Sequence, residues 1–160
     1  MSYRTIKTEG NPILRKKSRK VEKFDDRLFE LLDDMKETLY KADGVGLAAV
    51  QVGVLKRVIV IDVSETRDNL IEMINPEIIE KDGQQEEYEG CLSIPDMTGK
   101  TKRPNHVVCR YQDRKGDWYQ IEGEGLLARC ICHETDHLDG ILFSDRLAEG
   151  ETLHYSKSGE

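Results

Sequence analysis

The feature that most constrains this chain is a pair of histidines, four residues apart, in the segment 130–137. Residues at that spacing share one face of an α-helix, so His133 and His137 point the same way if the segment is helical. Two such imidazoles can bind one divalent metal, and Glu134 lies about 100° round the helix, within reach of a water on that metal. Histidines also fall four apart by chance in buried helices, so the interpretation depends on residues elsewhere.

The composition is that of a water-soluble globular protein. The chain has 160 residues, of which 38% are hydrophobic and 34% are charged. This length and composition predict one domain over residues 1–160, with a polar tail from about residue 149. The net charge of -7 argues against direct binding of nucleic acid or of an anionic membrane. No apolar run approaches the roughly 20 residues that span a bilayer, and residues 1–7 lack a signal-peptide core, so we expect a cytoplasmic location.

Hydrophobic periodicity predicts two helices separated by strands. Apolar residues recur at helical spacing over residues 25–41. Apolar or alternating runs predict strands at residues 57–63, 70–76, 77–81, 106–111 and 118–122. Pro76 is expected to end the second of these strands, and residues 86–95 are expected to form a loop. The second helix covers residues 125–139, which include both histidines, and Gly140 ends it.

A catalytic metal needs a third protein ligand, because such a site usually has three protein ligands and one position left for water. After His137 the only histidine is His154, and the acidic candidates are Asp145, Glu149 and Glu151. Cys91 is the remaining soft ligand, although a single cysteine is often only a small buried hydrophobe. In a reducing compartment the four cysteines are expected to be ligands or core residues rather than disulfides.

Three segments together resemble the motifs of the peptide deformylase family. They read Gly-Val-Gly-Leu-Ala-Ala-Val-Gln at 44–51, Glu-Gly-Cys-Leu-Ser at 89–93 and His-Glu-Thr-Asp-His at 133–137. Their order and separations fit the family. The resemblance implies an α+β fold in which antiparallel strands pack around a central helix carrying the HExxH-type motif. It also implies a metal-dependent hydrolase that removes the formyl group from the initiator methionine of newly made polypeptides, acting on formyl-methionyl nascent chains near the ribosome.

The same resemblance assigns roles residue by residue. The implied metal ligands are Cys91, His133 and His137. Glu134 is implied as general base and then general acid, while Gln51 and the backbone N–H of Leu92 are implied to stabilise the tetrahedral intermediate. The cofactor is implied to be one divalent metal ion, with Fe2+ as the native ion and Zn2+, Ni2+ or Co2+ able to occupy the site. Ligand type alone fits zinc.

Residues around the motifs are candidates for the substrate pocket. The second helix carries one stripe at i, i+4, i+7 and i+11, formed by Leu126, Cys130, His133 and His137. That stripe, with Val45, is expected to bind the methionine side chain, and Arg129 is expected to edge the pocket. In the alternative interpretation, the first two residues of the stripe simply pack on the sheet. Gly46 and Gly90 would let a peptide backbone approach closely.

Two other functions compete with this one. A zinc endopeptidase that uses the same His–Glu pair would take its third ligand downstream and leave Cys91 without a metal role. A metal-stabilised module without catalysis would enclose zinc between Cys91, a second cysteine and two histidines. That module would leave no open coordination position and no use for Glu134 or Gln51.

A last expectation concerns the support of the histidines. A metal-bound histidine usually donates its other ring N–H to a carboxylate or a carbonyl. Asp136 precedes His137 but points about 100° away on the helix, so it is poorly placed to hold that ring. We predict that Asp136 instead pairs with Arg103, which closes the loop from Cys91 and lies where the family resemblance implies a basic residue, and so ties the Cys91 segment to the histidine helix. In the alternative interpretation both charges are solvated.

Overall fold

The computed structural model describes residues 2–155 and places two helices against two antiparallel sheets. The helices are α1, Asp26–Lys41, and α2, Leu126–Leu138. The larger sheet contains, in this order, β1 (Gly46–Ala48), β2 (Val58–Ile61), β3 (Ile71–Asp82), β6 (His106–Gln112) and β7 (Trp118–Glu124). The smaller sheet contains, in this order, β4 (Gln85–Cys91), β5 (Ile94–Arg103) and β8 (His154–Tyr155). Among residues 2–155, no helix has the length and apolar character needed to span a bilayer.

Helix α1 begins with a side-chain cap and buries one face. Asp25 accepts a hydrogen bond from Leu28 N at 3.1 Å, which satisfies one of the free N–H groups of the first turn. Apolar side chains at helical spacing are buried on the face that meets the larger sheet: Leu28, Leu31, Leu32, Met35 and Leu39. The predicted helix over residues 25–41 is therefore confirmed.

Strand β2 is apolar on both faces because a helix covers each face. Val58 and Val60 belong to the core cluster that contains α1, whereas Ile59 and Ile61 belong to the cluster that contains α2. Successive side chains of a strand point to opposite faces, so a continuous apolar run needs two covering layers. Helix α2 contacts every strand of the larger sheet. The prediction of an α+β fold with antiparallel strands around the helix that carries the histidines is confirmed.

Glycines bound α2 at both ends. Gly125 has φ 59 before the first turn and Gly140 has φ 77 after the last, a region that residues with a side chain rarely adopt. Gly140 N donates to His137 O at 3.1 Å, which ends the helix. A Cβ on Gly140 would lie 2.5 Å from Arg15 O, so glycine is also needed for close approach. The predicted closing glycine is confirmed.

One long strand, β3, replaces two predicted strands. Pro76 is predicted to end a strand, yet β3 continues through it. The register of β3 on β6 shifts around Pro76, so the proline lies in an irregularity where its missing N–H breaks no regular ladder. Asn75 has φ 52, and its side chain bonds Val21 N and Val21 O at 2.8 and 3.0 Å. The predicted end of the strand at Pro76 is wrong because the β-bulge at this register shift accommodates a residue without an N–H group.

The predicted loop at residues 86–95 is a β-hairpin. Strand β4 ends at Cys91 and β5 begins at Ile94, so only two residues connect them. Register pairs Glu86 with Lys102 and Tyr88 with Lys100. Strands with a solvated, charged face lack the long apolar run by which a buried strand is recognised, and the loop prediction is wrong for this reason.

The end of the described chain joins the smaller sheet. His154 and Tyr155 form β8 and pair with Thr98 and Met97 of β5. The polar tail predicted from about residue 149 is therefore held to the sheet at this point, because the edge of β5 has backbone groups that need partners. Residues 156–160 of that tail lie outside the described residues.

Candidate active site

Three side chains with metal-binding atoms converge where the smaller sheet meets α2. Cys91 ends β4, while His133 and His137 lie one turn apart on α2. One ligand atom from each residue lies within 4.8 Å of the other two, and Cys91 Sγ is 3.4 Å from His137 Nε2. Both histidines are buried and Cys91 is half-buried. Two separate parts of the fold thus bring the predicted ligands together.

The donor set fits a divalent metal. A thiolate and two imidazoles are ligands that zinc and other transition metals accept in tetrahedral sites. With metal–ligand bonds of roughly 2.0–2.3 Å, ligand atoms in such a site lie about 3.5 Å apart. The separation of Cys91 Sγ from His137 Nε2 matches this spacing. Burial lowers the pKa of His137 well below its usual value, which keeps that imidazole neutral and able to bind a metal.

A buried ion network supports His133. Glu89 Oε1 lies 2.9 Å from His133 Nδ1, and Arg103 donates to the two carboxylate oxygens of Glu89 at 2.7 and 3.0 Å. Arg103 also donates to Asp136 Oδ2 at 2.9 Å, so the predicted Arg103–Asp136 pair is confirmed. Burial opposes ionisation of Glu89, but hydrogen bonds from His133 and Arg103 lower its pKa to about 2. The network therefore joins β4 and β5 to α2 through charged hydrogen bonds.

Glu134 faces the same space from the next position on α2. Its carboxylate is buried, and Oε1 has no hydrogen-bond partner among residues 2–155. Oε2 lies 3.9 Å from His133 Nε2. Burial raises the pKa of the Glu134 carboxyl to about 7, against the lowering effect of His133. A carboxyl that titrates near neutral pH is suited to accept a proton and return it.

Gln51 presents its amide nitrogen to Cys91. Gln51 Oε1 accepts a hydrogen bond from Ala48 N at 2.9 Å, which fixes the orientation of the amide. Nε2 then lies 3.0 Å from Ser93 Oγ and 3.6 Å from Cys91 Sγ. Leu92 directly follows Cys91 in the turn between β4 and β5. The side-chain amide thus supplies a fixed donor beside the metal-binding atoms, which is what stabilising a developing oxyanion requires.

A cavity of about 590 Å³ opens beside these side chains. All six residues predicted to bind substrate line it: Val45, Gly46, Gly90, Leu126, Arg129 and Cys130. So do five residues of the predicted reaction centre: Glu134, Gln51, Leu92, Cys91 and His133. His137 is fully buried and does not line the cavity. Cys130 also packs in the core cluster that α2 forms with the sheet, so lining the cavity and packing on the sheet are not exclusive.

Sequence reasoning missed the supporting roles of Glu89 and Ser93. Glu89 lies two residues before Cys91 in β4, so both side chains point to one face of the strand. A carboxylate on the face of a metal-binding thiolate is a candidate partner for a metal-bound histidine, but a predicted loop at residues 86–95 has no strand face, so this signal appears only with the hairpin. Ser93 lies in the tight turn and contacts Gln51, an arrangement that only the folded hairpin defines.

Comparisons with known proteins agree with this geometry. The family model for polypeptide deformylase matches residues 3–152. The chain is 56% identical over 147 residues to the peptide deformylase of Caldicellulosiruptor bescii, covering 92% of this chain and 87% of that protein. It is also 56% identical over 151 residues to peptide deformylase 1 of Clostridium acetobutylicum, covering 94% of this chain and 99% of that protein.

Solved structures show the same likeness. The crystal structure of a peptide deformylase from Legionella pneumophila matches with a TM-score of 0.88 and 44% identity, covering 92% of this chain and 87% of that chain. A peptide deformylase from Synechococcus elongatus, crystallised in complex with actinonin, matches with a TM-score of 0.87 and 41% identity, covering 91% of this chain and 80% of that chain. Sequence and fold agree over nearly the same residues, and the chain belongs to the polypeptide deformylase family.

Proposed function

We propose that this chain hydrolyses formyl-methionyl peptides at a divalent metal held by Cys91, His133 and His137. The activity, removal of the N-terminal formyl group from newly made polypeptides, follows from membership of the family. Water adds to the formyl carbon, the carbon–nitrogen bond breaks, and the products are formate and a peptide with a free α-amino group. The observation that carries these residue assignments is the convergence of three ligand atoms with the Glu134 carboxylate beside one cavity.

Glu134 is assigned the proton transfers. Its Oε1, which has no partner among residues 2–155, and its pKa of about 7 suit it to take a proton from the attacking water. The same carboxyl then gives the proton to the leaving amine. Gln51 Nε2 and the backbone N–H of Leu92 are assigned to donate to the formyl oxygen as negative charge develops there. One such donor typically contributes about 3 kcal/mol to lowering the barrier.

A divalent metal is the cofactor of the family, and the Cys-His-His group would hold it here. When bound, the metal supplies a water whose pKa falls from about 15.7 to near 7. We propose Fe2+ as the native ion, with Zn2+, Ni2+ or Co2+ able to replace it, because thiolate and imidazole ligands accept all of these ions. Metal analysis of protein purified without oxygen tests this identity. Cys91→Ser should lose most of the bound metal while the helical circular dichroism signal remains, and full retention of metal would reject the three-ligand assignment.

The methionine side chain is assigned to the part of the cavity beside α2. Leu126 and Cys130 supply apolar contacts there, and Val45 faces them from the segment before β1. Gly46 and Gly90 leave backbone groups open to an extended peptide. A formyl carbon carries only a hydrogen beside its oxygen and nitrogen, so a tight site beside the metal-binding side chains is expected to admit formyl and exclude acetyl.

We further propose that the chain meets its substrates in the cytoplasm, close to the ribosome, without binding nucleic acid or a membrane directly. The net charge of -7 supports the absence of direct nucleic-acid binding. The four cysteines are free thiols, as expected in a reducing compartment. Residues 1–160 are proposed to act as one domain, since residues from β1, β4, β5 and α2 line one cavity.

Release of formate from formyl-Met-Ala-Ser tests the function. Protein purified without oxygen should release formate at a rate that falls when a chelator removes the metal and returns when metal is restored. Acetyl-Met-Ala-Ser, which differs by one methyl group, serves as the control and should not be cleaved. Metal-loaded protein that releases no formate would reject the proposed function.

Both competing functions need a ligand that is absent from the metal-binding cluster found among residues 2–155. The endopeptidase requires a ligand downstream of His137, and that cluster includes none of Asp145, Glu149, Glu151 and His154. The closed zinc module requires a second cysteine, and the cluster found among residues 2–155 contains only Cys91 with the two histidines. Cleavage of an internal peptide bond in an unformylated peptide would favour the endopeptidase.

A further inference from the structure

The cavity wall formed by α2 contains one cationic side chain. Arg129 lies beside the stripe that contains Leu126 and Cys130, and all three residues line the cavity. Arg129 is half-buried, and its Nη1 donates to Gln85 Oε1 at 3.1 Å. Gln85 belongs to β4, so this hydrogen bond links the helix to the smaller sheet. The wall beside the proposed methionine pocket is therefore not purely apolar.

Gln85 is held so that only its oxygen faces Arg129. Its Nε2 donates to Gly125 O at 2.8 Å and to Pro104 O at 3.2 Å, which uses both amide hydrogens. The remaining acceptor, Oε1, takes one N–H of the guanidinium and fixes its position. Among residues 2–155, no acceptor bonds the other N–H groups of Arg129. These donors are positioned by the protein and have no partner in the part of the chain that the structure describes.

The position of Arg129 along α2 relates it to the end of a methionine side chain. Arg129 precedes His133 by four residues, which corresponds to about 6 Å along the helix axis. That distance is comparable to the reach of an extended methionine side chain. In the pose assigned above, with the formyl group at the metal-binding side chains and the methionine beside α2, the sulfur would lie in the part of the cavity that Arg129 and Cys130 line.

We propose that Arg129, positioned by Gln85, lets this site accept peptides whose formyl-methionine has been oxidised to the sulfoxide. A thioether sulfur is a weak hydrogen-bond acceptor, whereas a sulfoxide adds a polar oxygen to the same side chain. Burying that oxygen against Leu126 and Cys130 alone would leave it without a partner, which is costly. The guanidinium N–H groups supply a charge-assisted hydrogen bond at this point. The inference rests on the proposed function.

The chemistry of the reaction is unchanged for the oxidised substrate. Water adds to the formyl carbon and formate leaves, while the sulfur keeps its oxidation state and its oxygen. The product is a peptide with a free α-amino group on methionine sulfoxide. No oxidant or reductant is therefore needed.

The test compares kcat/KM for formyl-Met-Ala-Ser and for its sulfoxide, using protein loaded with one metal. We expect the wild-type protein to hydrolyse the sulfoxide with a kcat/KM within about tenfold of that for methionine. Arg129→Met should lower the sulfoxide-to-methionine ratio by about tenfold or more, as expected for the loss of a charged hydrogen bond. Gln85→Met keeps Arg129 but removes the acceptor that fixes its guanidinium, and should lower the ratio by a smaller factor. Arg27→Met, an exposed position on α1, makes the same chemical change away from the cavity and should leave the ratio unchanged.

Several outcomes would overturn the inference. One is a wild-type protein that disfavours the sulfoxide by about a hundredfold or more. Another is an Arg129→Met variant, folded by circular dichroism, that keeps the wild-type ratio. A third is an Arg129→Met variant that leaves the sulfoxide-to-methionine ratio unchanged but alters the preference between formyl-Met-Glu-Ser and formyl-Met-Ala-Ser. The guanidinium would then contact the residue after methionine and not the methionine side chain. Absence of turnover with both formyl peptides would instead reject the proposed function.

Discussion

At the residue scale, the contact between Gly46 and Glu134 sets the room available at the reaction centre. A Cβ on Gly46 would lie 2.5 Å from Glu134 Oε2 and 2.8 Å from its Cγ. Both atoms belong to a buried side chain whose other oxygen has no partner among the described residues. Glycine at position 46 therefore lets the carboxylate lie against the backbone of β1, where any side chain would displace it.

Replacing Glu134 separates metal binding from proton transfer. Glu134→Ala removes the proposed base and leaves the three ligands in place. Turnover should fall by several orders of magnitude, about 10²–10⁴, while metal content per chain stays at the wild-type level. Formate release and metal analysis on the same preparation measure both quantities. Glu30→Ala, an exposed carboxylate on α1, is the control, and near-normal turnover by Glu134→Ala would show that another group moves the proton.

A methyl group on Gly46 should act through Glu134. Gly46→Ala pushes the carboxylate out of its position, and misplacement by about 1 Å can cost about 10²-fold in rate. We expect a fall of that order in kcat/KM for formyl-Met-Ala-Ser. In a Glu134→Ala background the same substitution should have almost no further effect, because the displaced carboxylate is gone. Additive losses in the double variant would mean that Gly46 matters for substrate approach instead.

At the scale of elements, the decisive contact is between the β4–β5 hairpin and α2. Arg103 on β5 bonds Glu89 on β4 and Asp136 on α2, and its side chain is only 3% exposed. Arg146 bonds the same Asp136 from outside, with a side chain that is 45% exposed. One carboxylate thus has a buried and a half-exposed cationic partner, which allows the two to be compared directly.

Removing the buried partner should cost far more than removing the exposed one. Arg103→Ala leaves Glu89 with an uncompensated buried charge, so we expect the free energy of unfolding to fall by about 3–5 kcal/mol. It should also weaken metal binding by about 10–100-fold, because Glu89 orients His133. Arg146→Ala should cost only about 0–1 kcal/mol. Urea unfolding and metal titration measure the two effects. If Arg103→Ala binds metal with normal affinity, the ion pair exists but does not position the metal ligands.

The helices and the three motifs could be predicted from sequence, whereas the hairpin could not. Helix α1 has an apolar stripe and a capping Asp25, and α2 ends at a glycine, so local signals agree with the fold. In β4 and β5 the side chains that matter are charged, namely Glu89 and Arg103, and their burial depends on contacts with α2. Local sequence patterns do not predict contacts between residues that are distant in the sequence. The same limit explains Pro76, whose position becomes tolerable only once β3 bulges against β6.

At the scale of the whole molecule, Asp62 links α1, the end of β2 and the following turn. It is fully buried and accepts hydrogen bonds from Tyr40 Oη at 2.6 Å and from Ser64 N at 2.9 Å. Asp62 N also donates to Val45 O at 2.8 Å, beside the cavity. Burial opposes ionisation, but the Ser64 and Tyr40 hydrogen bonds lower the pKa of Asp62 to about 2. The fold is therefore sensitive to protonation of this carboxylate.

Acid should remove the stabilisation that Asp62 provides. Its folded pKa lies below the unfolded value of about 4, so its contribution is present above about pH 4 and is lost as pH falls towards 2. The shift corresponds to about 2–3 kcal/mol. Urea unfolding between pH 2 and 7 measures the free energy of unfolding at each pH. As the pH falls from 4 to 2, this free energy should decrease less for Asp62→Asn than for the wild-type protein. Identical pH profiles for the two would mean that Asp62 does not couple stability to pH.

The division of the strands into two sheets has a consequence for how the protein loses activity. The larger sheet packs against both helices, whereas the smaller sheet is held by the Arg103 ion network, by the chain segment after α2 and by a small apolar cluster that includes Ile94 and Phe143. Regions with fewer buried apolar contacts open first, so local opening is expected to begin in the smaller sheet. Cys91 moves with that sheet, while the histidines stay with the helix. Heat or denaturant would then inactivate the enzyme while its helical content stays intact, and activity would report an opening that far-ultraviolet circular dichroism does not detect.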